Sequence, residues 1–287
     1  QPFQALAEAG QIDGVYYARL LDPVEMERIA PDAVVVQRRV GDAELAKMER
    51  MRRFCAAFKV YELDDYLPNV PLKSVHREQM PKDVLRSLRR AAALVDRVVV
   101  STPALAEALA GLHADIRVVH NRLDPRMWGD LPAPARTSAD AKPRVGWAGG
   151  ASHTGDLELI ADVVQALAGE VHWVFMGMCP QRLRPHVAEM HPGVDFERYP
   201  QALAALRLDL ALAPLEDNLF NRCKSNLRLL EYGACGYPVV ASDLPPYQNG
   251  LPATLVKNRF RDWVNAIRMH LADAQARAAA GAALHAA

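Results

Sequence analysis

Residues 214–247 read PLEDNLFNRCKSNLRLLEYGACGYPVVASDLPPY. A strand ends at Leu215, a polar loop follows, and a helix over 224–235 is opened by Lys224, Ser225 and Asn226, with Ser225 or a neighbour as its cap. The turn 233–236 closes the helix, and an almost wholly apolar strand, YPVVAS, follows at once. A helix N-terminus offers free N–H groups and a positive dipole end, so it suits phosphate. Lys224 adds a full charge there, and Arg228 a second cation one turn on. Glu231 lies two turns beyond Lys224 on the same face, where a carboxylate can accept both hydroxyl hydrogens of a ribose. A solvated surface helix would carry the same Lys and Glu, but the apolar strand behind it argues for packing against a core. The chemistry that fits is a nucleotide diphosphate.

Outward from this stretch, strand and helix signals alternate. In the first half, strands are expected at 13–20, 32–38, 58–65, 97–102 and 116–121, and helices at 42–56, 81–94 and 103–111. Residues 1–10 read as a helix. An α/β domain usually opens on a strand, so the chain is expected to be a piece whose first strand is missing. In the second half, strands are expected at 144–149, 171–177, 194–199, 208–215 and 237–242. Helices are expected there at 156–169, 181–190, 201–207 and 224–235, with a long final one at 259–280. Between the halves, 122–143 is rich in proline and small residues and reads as a linker. The expected domains are therefore 1–121, a linker and hinge at 122–143, a second domain at 144–258, and a C-terminal helix at 259–287.

Alternating βα units imply parallel sheets with right-handed crossovers, hence two doubly wound α/β domains. Ligands of such sheets sit beyond the carboxyl ends of the strands. That rule selects Asp64, Asp65, Ser101, Thr102, His120 and Asn121 in the first domain. In the second it selects 149–155, Gly177, Glu216, Ser242 and Asp243.

Bulk properties narrow the function. The 287 residues carry 34 Lys plus Arg against 34 Asp plus Glu, so net charge gives no reason to expect a nucleic-acid partner. None of the four cysteines forms a C-x-x-C pair, and no His cluster has zinc spacing, so free thiols and a cytoplasmic, reducing setting are expected. No apolar run reaches the roughly 18 residues of a membrane span.

The text LRLLEYGACGYPVVASD resembles the donor-site signature of the GT-B fold glycosyltransferases of group 1, the retaining type. KSNLRLLEYG is similar to a bacterial subgroup from surface-polysaccharide and O-antigen biosynthesis. In that family two glutamates stand seven residues apart. The second, which binds ribose, matches Glu231; the first, which faces the donor sugar, falls on Lys224. The resemblance also covers RVGWAGGASHTGDLELI (144–160), where the family opens its second domain with a strand and glycine turn. It implies two Rossmann-like domains flanking a cleft, with the final helix returning toward the first. It implies transfer of a hexosyl-type group from a nucleotide diphosphate sugar to a glycan, lipid-linked or protein acceptor. No cofactor or metal is expected, since Lys224, Arg228 and helix N–H groups neutralise the leaving diphosphate. Peripheral membrane association is compatible. Two alternatives are a nucleotide-sugar epimerase of the same fold and a non-catalytic glycan- or nucleotide-binding module of a larger protein.

Three further residue sets complete the expected site. Gly149 and Gly150 allow backbone to approach a phosphate closely, and Asp156 is a helix cap. His153 either hydrogen-bonds a phosphate or the sugar, or is a plain turn histidine. Asp64 and Asp65 end a strand and are expected to diverge, Asp65 serving as base or acceptor ligand, or else as a turn residue. Ser225, Asn226, Ser242 and Asp243 complete the donor-side set.

Overall fold

The structure is a computed structural model that describes residues 2–71, 80–132 and 142–287. It forms two compact units. One comprises residues 1–68 and 79–120, the other residues 69–78 and 121–287. The centre of the expected linker, 133–141, lies outside the described residues, as do residues 72–79.

The first unit holds a four-stranded parallel sheet, β1 (Ala33–Gln37), β2 (Phe58–Leu63), β3 (Arg97–Val100) and β4 (Ile116–Val118), in sequence order. Alternate residues of β2 turn into the core. Tyr61 and Leu63 are fully buried, and Lys59 is buried with its ammonium donating to the Cys55 and Ala57 carbonyls, both at 2.7 Å. Helix Asp42–Phe54 buries Leu45, Met48 and Met51 at three-residue spacing, the stripe its sequence announces.

The second unit holds a six-stranded parallel sheet. Its strands are β5 (Arg144–Ala148), β6 (His172–Gly177), β7 (Glu189–Pro192), β8 (Leu210–Ala213), β9 (Val239–Ser242) and β10 (Thr254–Val256). Their spatial order is β10-β9-β8-β5-β6-β7, every pair parallel. Winding runs one way from β5 to β7 and the other way from β8 to β10, so the order reverses between β5 and β8. β8 and β9 are buried along their whole length because helices cover both faces. One core contains Trp173, Phe175, Trp263 and Ile267, the other Met176, Leu229, Tyr232 and Leu284.

Several expectations need correction. Residues 13–20 form no strand: Val15 and Tyr16 are largely exposed, and β propensity without a pairing partner gives an extended segment only. Residues 194–199 are likewise not a strand; the strand lies just before, at β7, and Phe196–Arg198 is a single tight turn. That strand took the place of the helix expected over 181–190, of which only the turn Arg184–His186 exists. Pro192 ends β7 at the sheet edge, where a missing donor costs little. The final helix is two helices, Phe260–Ala272 and Ala274–Ala286, broken at Asp273. Asp273 has an extended backbone and caps the second helix through Gln275 and Ala276 N–H, both at 2.9 Å. The last helix packs within its own unit, on helix Leu227–Ala234.

Candidate functional site

In a sheet wound this way the ligand crevice lies outside the carboxyl ends of the two strands at the reversal. Here those strands are β5, followed by Gly149–Asp156, and β8, followed by 214–222. Both loops converge on the buried carboxylate of Asp156. Its Oδ1 accepts from the Glu216 N–H at 2.7 Å and from Asn221 Nδ2 at 2.8 Å. Its Oδ2 is 2.7 Å from His153 Nδ1. Asp156 does not cap a helix, as its sequence position suggested; it ties the two switch-point loops together. Asn221 is equally buried and also donates to the Glu216 carbonyl at 3.0 Å.

The other ring nitrogen of His153, Nε2, lies 3.5 Å from Arg228 Nη2. The Arg228 guanidinium rests over Trp147, 5.4 Å from the ring centroid, and over Tyr232 at 5.8 Å. The Tyr232 hydroxyl accepts from the Ala148 N–H at 3.0 Å, which fixes that ring beneath the end of β5. Arg228 Nη1 is shielded from solvent and has no hydrogen-bond partner among the described residues. Burial lowers the pKa of His153; the bond to Asp156 opposes this, and the charges of Arg228 and Lys224 add to the lowering.

Glu231 stands one turn beyond Arg228 and accepts from the Tyr199 hydroxyl at 3.2 Å. Burial pushes its carboxyl up, and Arg228 and the Tyr199 bond oppose the shift. Lys224 holds its ammonium 4.6 Å from the centroid of the Phe220 ring. Ser225 does not cap the helix. Its hydroxyl accepts from Asn121 Nδ2 at 3.0 Å, and Asn226 takes the cap position without a side-chain bond. Residues 219–222 form a separate single turn, capped by Asn218.

Gly149 is dictated by close approach: a β-carbon there would lie 2.6 Å from the Trp147 ring and 2.9 Å from Arg228 Nη2. Gly150 has open space around it. Asp243 is exposed and accepts from Gln248 Nε2 at 2.7 Å. Ser242 departs from its expected ligand role. It is fully buried, and its hydroxyl bonds the Leu215 backbone and Asn258, so it braces the loop after β8.

In the first unit, Asp64 and Asp65 do not diverge. They follow the end of β2, and both face the Arg38 guanidinium, at 3.3 and 3.9 Å. The alternation rule fails because the strand has already ended at Leu63. No metal-binding group of three or more His, Cys, Asp or Glu exists among the described residues. All four cysteines are free and buried, and no described helix is long and apolar enough to cross a membrane.

The sequence reading missed Trp147, Tyr199, Tyr232 and Asn221. Trp147 and Tyr232 are core residues as well. The available signal was His153 and Asp156 at i,i+3, two residues able to meet on a helical turn.

No protein-family model and no curated protein matches the sequence. Solved structures do resemble the chain. HepE of Anabaena, solved in complex with UDP and glucose, is 15% identical with a TM-score of 0.63, over 99% of this chain and 83% of that one. OtsA in its apo form is 12% identical with a TM-score of 0.60, over 92% and 71%. A UDP-forming α,α-trehalose-phosphate synthase from Burkholderia vietnamiensis is 14% identical with a TM-score of 0.59, over 92% and 73%. At these identities the likeness concerns the fold, and that fold is GT-B, built from two Rossmann-like α/β units.

Proposed function

We propose that this chain transfers a glycosyl group from a nucleotide diphosphate sugar to a carbohydrate-bearing, lipid-linked or protein acceptor. One observation carries the reading. At the switch point of the second sheet, a guanidinium stacked on two aromatic rings keeps one nitrogen out of solvent and without a partner among the described residues. Such a group suits an anion that lies against it. Lys224 and Arg228 are assigned to the diphosphate, where they stabilise the charge that develops as the sugar bond breaks. Glu231 is assigned to the ribose, Gly149 and Gly150 to backbone approach, and Ser225, Asn226 and Asp243 to the rim. Asp65, beside Arg38, is assigned to the acceptor hydroxyl. The solved complex of HepE with UDP and glucose supports this ligand class.

Thermal-shift screening against UDP, GDP, ADP and their glucose conjugates tests the reading. A ligand at 100 times its dissociation constant adds about 2.7 kcal/mol of stability. Nucleotide release that requires a sugar acceptor is the expected activity. Release without any acceptor identifies an epimerase-type reaction, and binding without release identifies a binding module.

A further inference from the structure

The orientation of His153 follows from its neighbours. A guanidinium has donors only, so the ring nitrogen that faces Arg228 Nη2 presents a lone pair. The proton must then sit on Nδ1, which donates to Asp156 Oδ2 at 2.7 Å. Asp156 can hold no other role, because its Oδ1 already accepts from Glu216 N–H and Asn221 Nδ2. Its buried carboxylate is therefore an acceptor on both oxygens. The result is an acceptor, Nε2, beside a donor, Arg228, beyond the carboxyl end of β5. A phosphate oxygen without a proton satisfies only the donor. A hydroxyl satisfies both by taking the place of the long 3.5 Å contact, donating to Nε2 and accepting from the guanidinium.

We propose that His153 reads a hydroxyl of the donor substrate, and that Asp156 and Asn221 are positioning residues that hold it in the acceptor tautomer. The inference rests on the functional reading above and narrows it: His153 recognises the sugar portion of the donor and not the diphosphate. Burial and the charges of Arg228 and Lys224 favour the same neutral ring.

Two measurements test it. Long-range proton–nitrogen NMR on histidine-labelled chain, with the His153 signals assigned through His153→Gln, should show the Nδ1–H tautomer at pH 7.5. Asp156→Asn should erase that preference. An Nε2–H tautomer or an imidazolium in the wild type overturns the inference. Calorimetry then compares UDP, GDP and ADP with their glucose conjugates. His153→Phe should lose about tenfold in affinity for the sugar conjugate that binds, with the free nucleotide held within about twofold, the loss of one hydrogen bond. Equal loss on both ligands, or none on either, overturns it. A wild-type chain that binds none of the six overturns the functional reading and this inference with it. Sugar-conjugate binding that ignores His153, in a chain that does bind nucleotide, overturns this inference alone.

Discussion

The Arg228 guanidinium lies over the indole of Trp147, 5.4 Å from its centroid, at the end of the strand that opens the second sheet. A flat, delocalised cation can stack there and still direct N–H groups sideways; an ammonium cannot. Arg228→Lys should therefore weaken nucleotide binding by about tenfold or more, the worth of a charge-assisted bond. Thermal stability should change by no more than a few degrees. Calorimetry with the tightest nucleotide of the screen decides it, and unchanged affinity would remove Arg228 from the phosphate site.

Glu231 makes an opposite demand on stability and function. Burial raises its pKa, so the native state holds the proton more tightly than the unfolded chain does. The sign follows: its contribution is most favourable at low pH and declines as pH rises past the unfolded value of about 4.3. Glu231→Gln should thus raise the melting temperature at pH 7.5, with the gain shrinking toward pH 4. Nucleotide affinity should fall about tenfold in the same variant. A melting-temperature gain that grows toward acid pH would show that burial does not dominate at this carboxyl.

Gly149 tolerates no side chain. Gly149→Ala would press on the Trp147 ring and on Arg228 Nη2. Overpacking of this kind costs about 1–3 kcal/mol, which is several degrees of melting temperature at this chain length. The larger effect should fall on nucleotide affinity, because the displaced atom belongs to Arg228. Gly150→Ala, with open space around it, is the control and should keep the wild-type melting temperature. Identical behaviour of the two variants would contradict the packing described.

Away from the site, Glu189 joins three strands. It accepts from Arg144 on β5 at 2.8 Å, His172 on β6 at 3.1 Å and His191 on its own strand at 2.7 Å. Arg144 contributes most to holding its pKa down to about 2; burial opposes, and the histidine bonds assist. A depressed carboxyl stabilises the fold above its unfolded pKa and loses that effect as pH falls through about 2. Glu189→Gln should cost about 1 kcal/mol at pH 7, discounted for solvent screening, and progressively less from pH 4.5 downward. Urea unfolding across that range measures it. A cost that persists unchanged at pH 3 would assign Glu189 a packing role instead.

Much of this architecture was legible in the sequence because buried parallel strands leave nearly continuous apolar runs. RVVV at 97–100 and VVAS at 239–242 are examples. The strands that escaped notice, EMHP and TLV, are three or four residues long and lie at the two edges of their sheet. Edge strands need fewer apolar residues, so their pattern fades. DGVYYARL misled for the converse reason: it has strand composition and no partner. At the site, Lys224, Arg228 and Glu231 were visible through helical spacing. The meeting of His153, Asp156 and Asn221 was not, since Asn221 lies 65 residues from Asp156 and only the reversal between β5 and β8 joins their loops.

The last helix packs directly on the helix that bears Arg228 and Glu231. A β-carbon on Gly281 would collide with the Gly236 carbonyl, Leu284 fills the space beside Gly233, and His285 Nδ1 lies 3.0 Å from the Gly233 carbonyl. Under the proposed function, the nucleotide site is therefore braced by residues that no ligand would touch. Selection for tighter donor binding should return substitutions near 281–285 as readily as in the crevice, and loosening this seam should act as a dial on affinity while every contacting side chain stays the same.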